Sequence, residues 1–120
     1  MVHTTISSEQ IARQAVAAIR EKKGQNITVL NLKQVKGAVT DYFVLCSVTS
    51  DRQAQAIADN VSKVLRESLE ERPNRTEGYQ RGEWILMDYF DVVVHIFQKN
   101  AREFYRLEDL WGDGEQEDWQ

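Results

Sequence analysis

The sequence predicts a single α/β domain of the α+β kind, with a mixed β-sheet of about five strands and helices packed on its faces. Three observations predict this fold class. The length of 120 residues suits one ordinary domain. Helical and strand-like segments follow each other in the order α-β-β-α-β-β-β-α. A long helix allows a parallel crossover between the second and third strands, whereas a short later connection requires an antiparallel pair.

The first predicted helix spans about 8–23, and a strand follows at 27–32. Ser7 and Gln10 have the spacing of a capping box, in which each side chain satisfies a backbone amide of the other residue. Gly24 suits the end of this helix, because glycine readily adopts the left-handed conformation found there. The strand is predicted from its high content of β-forming residues.

A central strand at 42–46 and a second helix over about 51–71 form the middle of the predicted domain. The strand is a continuous apolar run, which is typical of a strand covered on both faces. Ser50 and Gln53 repeat the capping-box spacing at the start of the helix. Pro73 prevents the helix from continuing, because proline lacks the backbone donor and its ring clashes with the preceding turn.

The C-terminal half predicts three further strands and a third helix. A short strand is expected around 76–79, and two apolar runs at 84–87 and 92–97 predict the remaining strands. The connection 88–91 is short enough for a hairpin, so these last two strands should pair antiparallel. The third helix is expected over about 100–107.

The charge distribution predicts a neutral body and an acidic tail. Fifteen Lys and Arg residues face nineteen Asp and Glu residues, which gives a net charge of −4. Four of the acids lie in the last eight residues, which contain no base: Asp113, Glu115, Glu117 and Asp118. We therefore divide the chain into a domain at 1–112 and a flexible acidic tail at 113–120. This charge disfavours direct binding of DNA or RNA and suits a basic protein partner.

The sequence also predicts a soluble intracellular protein. Cys46 is the only cysteine, so the chain cannot form an internal disulfide, and this suits a reducing cytosol or organelle matrix. The first ten residues lack the apolar core of a signal peptide, and no apolar run is long enough to span a bilayer. We expect a cytoplasmic location without membrane contact.

Two residue sets allow an enzymatic interpretation as well as a structural one. Cys46 and His95 could form a nucleophile–base pair, but a cysteine in an apolar strand more often fills a core. Asp88, Asp91 and His95 could hold a metal in a degenerate nucleotidyltransferase or metal-dependent hydrolase, but turn carboxylates usually serve the backbone. No phosphate-binding glycine loop or zinc spacing is present. We expect no enzyme activity, catalytic residue, metal or cofactor, and the metal enzyme stays as the alternative.

Large aromatic residues concentrate in the C-terminal third, which favours a docking surface: Trp84, Tyr89, Phe90, Phe104, Tyr105 and Trp111. Tyrosine and tryptophan are common interface anchors because they bury a large area with few rotatable bonds. Phe104 and Trp111 are expected to fill the core instead. Trp84 and Tyr89 flank a turn rich in acids, and this arrangement suits docking of a basic protein.

Six stretches, in this order and spacing, strongly resemble the ribosomal silencing factor family, also called RsfS or Iojap. They are TDYFV at 40–44, SDRQAQAIAD at 50–59, EG at 77–78, WILMDY at 84–89, DVVVHIF at 91–97 and REFYRLEDLWGD at 102–113. The resemblance implies a nucleotidyltransferase-like fold reused for binding. It also implies a translational repressor that binds the large ribosomal subunit through its protein fourteen and blocks joining of the small subunit when nutrients are short.

The resemblance also suggests which residues contact the partner. Carried over onto this sequence, the leading contact residues are Trp84, Asp88, Asp91 and His95, with Tyr89 and Tyr105 as weaker candidates. Phe90 departs from the family pattern, in which glycine often stands at this position, so the hairpin geometry is an open point. A second copy of the chain is a further candidate partner, because an aromatic strand could pair with itself and form a homodimer in the free protein.

Overall fold

The alternating segments fold into one mixed sheet flanked by helices. The computed structural model describes residues 6–106, 114–117 and 119. Its helices are α1 (Ser8–Glu21), α2 (Asp51–Leu69) and α3 (Lys99–Tyr105), and its strands are β1 (Gln25–Asn31), β2 (Tyr42–Val48), β3 (Arg75–Glu77), β4 (Trp84–Asp88), β5 (Val92–Gln98) and β6 (Glu115–Glu117). The strand order is β3-β4-β5-β2-β1-β6. The predicted fold class and the order of the first eight elements are confirmed.

The sheet is mixed because β2 and β5 run parallel, whereas all the other neighbouring strands run antiparallel. The expectation that the parallel crossover joins the second and third strands is wrong, because β2 pairs with β5. The reason lies in composition. All seven residues of β2 are buried, so its neighbours must also be apolar, and β3 is a fully exposed three-residue strand. The predicted antiparallel pairing of β4 with β5 is confirmed.

The helix starts are set by side chains that satisfy free backbone amides. At α1 the capping box is complete: Ser7 Oγ accepts from Gln10 N at 3.1 Å, and Gln10 Oε1 accepts from Ser7 N at 2.8 Å. At α2 only half of it forms. Ser50 Oγ accepts from Gln53 N at 3.0 Å, but Gln53 Oε1 accepts from Thr49 N instead. Among the described residues, no helix combines the length and apolar character needed to cross a membrane.

The two faces of the sheet are covered unequally. Alternate side chains of β2, such as Val44 and Cys46, join the main core under α1 and α2. Phe43 and Leu45 point to the opposite face, where they form a smaller apolar cluster with residues that include Phe97. Among the described helices, only the short α3 contributes to this second face, through Ala101, and the loop residues Val35 and Ala38 also pack there. Within the part of the chain that the structure describes, much of this sheet face has no covering helix, and we refer to it below as the uncovered face.

Part of the segment expected to be a tail lies against the sheet. β6 pairs with β1 over Glu115–Glu117, which adds a sixth strand to the predicted five. Trp119 is buried at 8% exposure, with its ring centroid 5.5 Å from that of Tyr42 and the Arg13 guanidinium 4.3 Å above it. A buried tryptophan provides a large apolar surface that can hold a chain end in place. Residues 107–113, 118 and 120 lie outside the described part of the chain.

Candidate docking groove on the uncovered sheet face

The uncovered face is built by the pleat of β4 and β5. In β4, Ile85 and Met87 point into the main core, so Trp84, Leu86 and Asp88 point to the other side. His95 lies opposite Leu86 in the register of β4 with β5 and therefore shares its face. Leu86, Asp88, His95 and their neighbours line a cavity of about 350 Å³, which we call the open-face groove. Its floor contains Phe43, Leu86, Val93 and His95.

Two exposed apolar side chains stand at the rim of the groove. Val39, in the loop before β2, is 96% exposed, and Phe90, in the turn between β4 and β5, is 66% exposed. They are the two large hydrophobic residues that stand exposed among the residues that the structure describes. Both border the same groove, so the apolar surface is contiguous rather than scattered. Contiguous exposed apolar surface with a polar rim is typical of a protein interaction site.

The turn that carries Phe90 is held in an unusual conformation. Phe90 has φ +67°, a left-handed value that costs a non-glycine residue free energy. The Asp88 carboxylate accepts a hydrogen bond from Phe90 N at 2.8 Å, and Tyr89 N–H donates to Val92 O at 2.8 Å. These bonds hold the strained turn in place. The Phe90 ring is exposed at this strained position.

His95 is buried at 3% exposure and is oriented by Trp84. Trp84 Nε1 donates to His95 Nδ1 at 3.0 Å, and the Trp84 ring stacks on Phe97 with centroids 5.0 Å apart. Because the indole is only a donor, Nδ1 must be unprotonated, and the neutral imidazole carries its proton on Nε2. Burial lowers the pKa of His95 to about 3, so the ring is neutral at physiological pH. Within the described residues, the buried Nε2 has no hydrogen-bond partner.

The acidic residues at the groove differ in exposure and pairing. Asp88 is half-buried, caps the turn through one oxygen and lies 3.5 Å from Arg75 Nε through the other. Its charge is therefore partly offset within the chain. Asp91 is exposed, and its backbone oxygen accepts from Asp41 N and Tyr42 N, which fastens the turn to the start of β2. The acidic surface expected around both residues thus depends mainly on Asp91.

The structure does not place the two remaining contact candidates, Tyr89 and Tyr105, at the groove. Tyr89 is 3% exposed and lies in the main core on the helix side of the sheet, where burial raises the pKa of its hydroxyl. Tyr105 ends α3, but its side chain lies outside the described part of the structure, as do the Phe104 side chain and Trp111. Of the six sequence-predicted site residues, Asp88 and His95 line the groove. Trp84 lies at the other end of β4 from Asp88 and bonds to His95, and Asp91 lies in the turn beside Phe90.

The enzymatic alternatives find little support in this geometry. Cys46 points into the main core while His95 points to the opposite face, so the two side chains lie on different sides of the sheet. Burial raises the pKa of the Cys46 thiol to about 12, which makes the thiolate inaccessible at neutral pH. Among the described residues, no three His, Cys, Asp or Glu side chains converge as a metal site would require. Asp88 and His95 already make other hydrogen bonds.

Sequence reasoning missed two features of the site. Thr40 lines the groove at 7% exposure, and its hydroxyl has no hydrogen-bond partner within the described residues. Val39 forms the rim, although nothing in its loop sequence indicates exposure. One signal in the sequence could have indicated Thr40 as a site residue. It begins the stretch 40–44, which resembles the ribosomal silencing factor family, and it stands directly before a buried strand.

The fold and the groove together define a small α/β domain with a largely apolar groove on one face of its mixed sheet. A family model described as "Ribosomal silencing factor during starvation" (RsfS) matches residues 5–120. The chain therefore belongs to the ribosomal silencing factor family, which confirms the resemblance seen in its motifs.

Relatives and solved structures agree with this assignment. The chain is 41% identical over 108 residues to "Ribosomal silencing factor RsfS" of Halalkalibacterium halodurans, which covers 90% of this chain and 91% of that protein. It is 30% identical over 99 residues to the mouse protein "Mitochondrial assembly of ribosomal large subunit protein 1", with 80% and 42% covered. A crystal structure of a Chromobacterium violaceum protein superposes with a TM-score of 0.84 at 30% identity, covering 95% and 92%.

Proposed function

We propose that this chain is a cytoplasmic, non-enzymatic repressor of translation that binds the large ribosomal subunit through its protein fourteen. Bound there, it blocks joining of the small subunit and lowers translation when nutrients are limiting. Family membership supports repression of the ribosome. The name of the mouse relative supports association with the large subunit in particular.

One observation carries the choice of surface: the exposed side chains of Val39 and Phe90 border a groove that is lined by the family-motif residues Asp88 and His95. Trp84, the third motif residue, donates a hydrogen bond to His95. In a folded chain, such apolar exposure is unfavourable unless a partner covers it. Val39 comes from a separate segment of the sequence, whereas Phe90 lies in the turn between the two strands that carry the motif residues. Their meeting at one place favours the open-face groove as the docking site.

The proposed mechanism is steric and requires no chemical step. A specific interface buries roughly 800 Å² on each partner, which a domain of this size can provide from one face. The exposed Asp91, which follows the rim residue Phe90 in the turn, suits a basic partner, because complementary charge fixes orientation and speeds association. No cofactor, metal or nucleic-acid contact enters this mechanism.

Sedimentation with isolated large subunits, followed by a subunit-joining assay, tests this function. Wild-type protein should sediment with the large subunit and reduce joining of the small subunit. Trp84→Ala should weaken binding by about 2 kcal/mol if Trp84 is an interface anchor. Tyr79→Phe is a matched control, because Tyr79 lies on the helix side near Asp59. Failure of wild-type protein to bind large subunits or purified protein fourteen would overturn the proposal.

The exposed rim also suits a second copy of the chain. We propose that free protein can self-associate through the open-face groove, so that dimer formation competes with ribosome binding. Light scattering should then show a concentration-dependent dimer that purified protein fourteen dissociates. A dimer that persists with protein fourteen bound would show that the two surfaces differ.

The metal-dependent alternative is tested by calorimetry with divalent metals and nucleotides. Tight binding that is lost in Asp91→Asn would favour an enzyme and count against a purely steric repressor. We expect no such binding, because the three side chains are placed differently. Asp88 caps the turn, Asp91 is exposed, and the His95 ring is buried.

A further inference from the structure

The floor of the open-face groove contains two buried polar atoms without partners in the described part of the chain. One is His95 Nε2, and the other is the Thr40 hydroxyl oxygen. Both residues line the groove. Buried polar groups are almost always hydrogen-bonded, since each unpaired one costs free energy of desolvation. Two such atoms at one cavity indicate a place where an occupant completes the hydrogen bonding.

The chemistry of His95 fixes what the occupant must supply. Trp84 Nε1 donates to Nδ1 at 3.0 Å, so the proton of the neutral ring resides on Nε2. Nε2 is therefore a donor and requires an acceptor. The stacking of Trp84 on Phe97 holds the indole in place, with centroids 5.0 Å apart. The tautomer is thus set by the fold before any partner arrives.

The surroundings disfavour a charged acceptor. The floor is largely apolar, and a desolvated anion there would lack a cation, because Arg75 already lies 3.5 Å from Asp88. A partner ammonium or guanidinium group would present a donor to a donor. An uncharged carbonyl oxygen accepts from Nε2 without burying an unpaired charge and without setting a donor against a donor. The Thr40 hydroxyl can donate or accept and so adapts to the same carbonyl or to its neighbouring amide.

We propose that the partner inserts the tip of a loop into the open-face groove and places an uncharged carbonyl oxygen on His95 Nε2, with a second hydrogen bond to the Thr40 hydroxyl. The flanking apolar side chains of the loop contact Val39 and Phe90 at the rim. This inference rests on the proposed function and names the recognition chemistry of its site. Selectivity then comes from a neutral hydrogen bond in an apolar setting, and Asp91 contributes mainly to the rate of encounter.

The inference is tested on the full chain with ¹⁵N-labelled histidine and purified protein fourteen. In the free protein, the His95 nitrogen shifts should report protonation at Nε2 alone. On complex formation, the Nε2 proton should move downfield and exchange more slowly with water. A His95 signal that stays unchanged while the complex forms would overturn the inference and leave the proposed function standing.

Thr40 variants give an independent readout that does not disturb the Trp84–His95 pair. Thr40→Val should bind about tenfold more weakly, because one hydrogen bond is lost. Its melting temperature should be equal or higher, because an unpaired buried hydroxyl becomes a methyl group. Thr40→Ser should keep binding, and Thr76→Val, on an exposed edge strand, should change nothing. Equal binding by Thr40→Val and wild type would remove Thr40 from the site. Absence of wild-type binding would overturn both proposals.

Discussion

Trp84 and His95 form a side-chain hydrogen bond between neighbouring strands, with Trp84 Nε1 donating to His95 Nδ1 at 3.0 Å. The bond runs diagonally, since Trp84 lies opposite Phe97 and His95 lies opposite Leu86 in the strand register. The two family-motif residues are therefore one structural unit. Trp84 fixes the tautomer of His95, and His95 holds the indole flat on the uncovered face.

We expect Trp84→Phe to destabilise the fold by about 1–3 kcal/mol, because His95 Nδ1 becomes a buried acceptor without a donor. Urea unfolding monitored by far-UV circular dichroism measures the loss. The Trp84→Phe/His95→Phe double variant replaces both partners by apolar rings and should lose less than the sum of the two single variants. Additive losses would show that the hydrogen bond contributes little.

Stability should fall as the pH drops from about 6.5 towards 3 because of His95. Burial lowers its pKa from 6.5 to about 3 in the folded chain. In this window the unfolded chain binds a proton that the folded chain does not, so acidification favours unfolding. The contribution is fully present above pH 6.5, and its loss approaches about 1.4 kcal/mol per pH unit below that.

Urea titrations at pH 7.5, 6.0 and 4.5 measure this dependence. The Trp84→Phe/His95→Phe variant should show a shallower slope, since it lacks the buried imidazole. His3→Gln serves as the control because His3 is the other histidine of the sequence. Equal slopes in wild type and the double variant would assign the acid sensitivity to carboxylates instead.

Phe90→Gly should stabilise the fold by about 1 kcal/mol and weaken partner binding. Phe90 has φ +67°, which glycine adopts without the steric cost of a Cβ atom. The ring is 66% exposed, so its removal takes little from the core but removes apolar area from the groove rim. Thermal melting and ribosome sedimentation measure the two effects.

Phe90→Ala separates the ring from the backbone. Alanine removes the apolar area but keeps the Cβ atom, so binding should weaken without a gain in stability. If both variants bind as well as wild type, Phe90 is not part of the docking surface. If Phe90→Gly is less stable than wild type, the ring contributes packing that outweighs the backbone strain.

Trp119→Ala should destabilise the fold by about 3 kcal/mol, the typical cost of truncating a large buried aromatic side chain. Trp119 is 8% exposed and lies between Tyr42 and Arg13. Chemical denaturation measures the loss, and Trp119→Phe, which keeps an aromatic ring, should lose less. An unchanged midpoint for Trp119→Ala would mean that this residue contributes no net stability.

Deletion of 113–120 tests the expected steering role of the acidic segment. On charge alone, the truncation should lower the association rate and its salt sensitivity. The pairing of β6 with β1 adds a second expectation, a loss of stability. Charge reversal at the exposed Glu115 separates the effect on association from the effect on stability. It should change the salt dependence of the association rate while leaving Trp119 in place. Abolished binding in a folded truncation would place the docking site at the tail.

The sequence predicted the helices and strands better than it predicted which strands pair with each other. The capping box of Ser7 and Gln10 and the apolar run of β2 are local signals, and both are confirmed. The parallel partner of β2 is set by which strand can bury both faces beside it, and that competition involves the whole chain. Tyr89 was expected among the contact residues but lies in the main core, and the alternation of strand side chains after Asp88 already indicated that side of the sheet.

The sequence by itself determined the family, the fold class and the candidate status of Trp84, Asp88, Asp91 and His95, because motifs and periodicities are properties of contiguous residues. Only the tertiary structure decided that Trp84 and His95 bond to each other, that Val39 and Phe90 share one rim, and that Thr40 Oγ1 and His95 Nε2 are left without partners in the described chain. Exposure and hydrogen-bond satisfaction depend on which segments meet in space, and local sequence does not encode that.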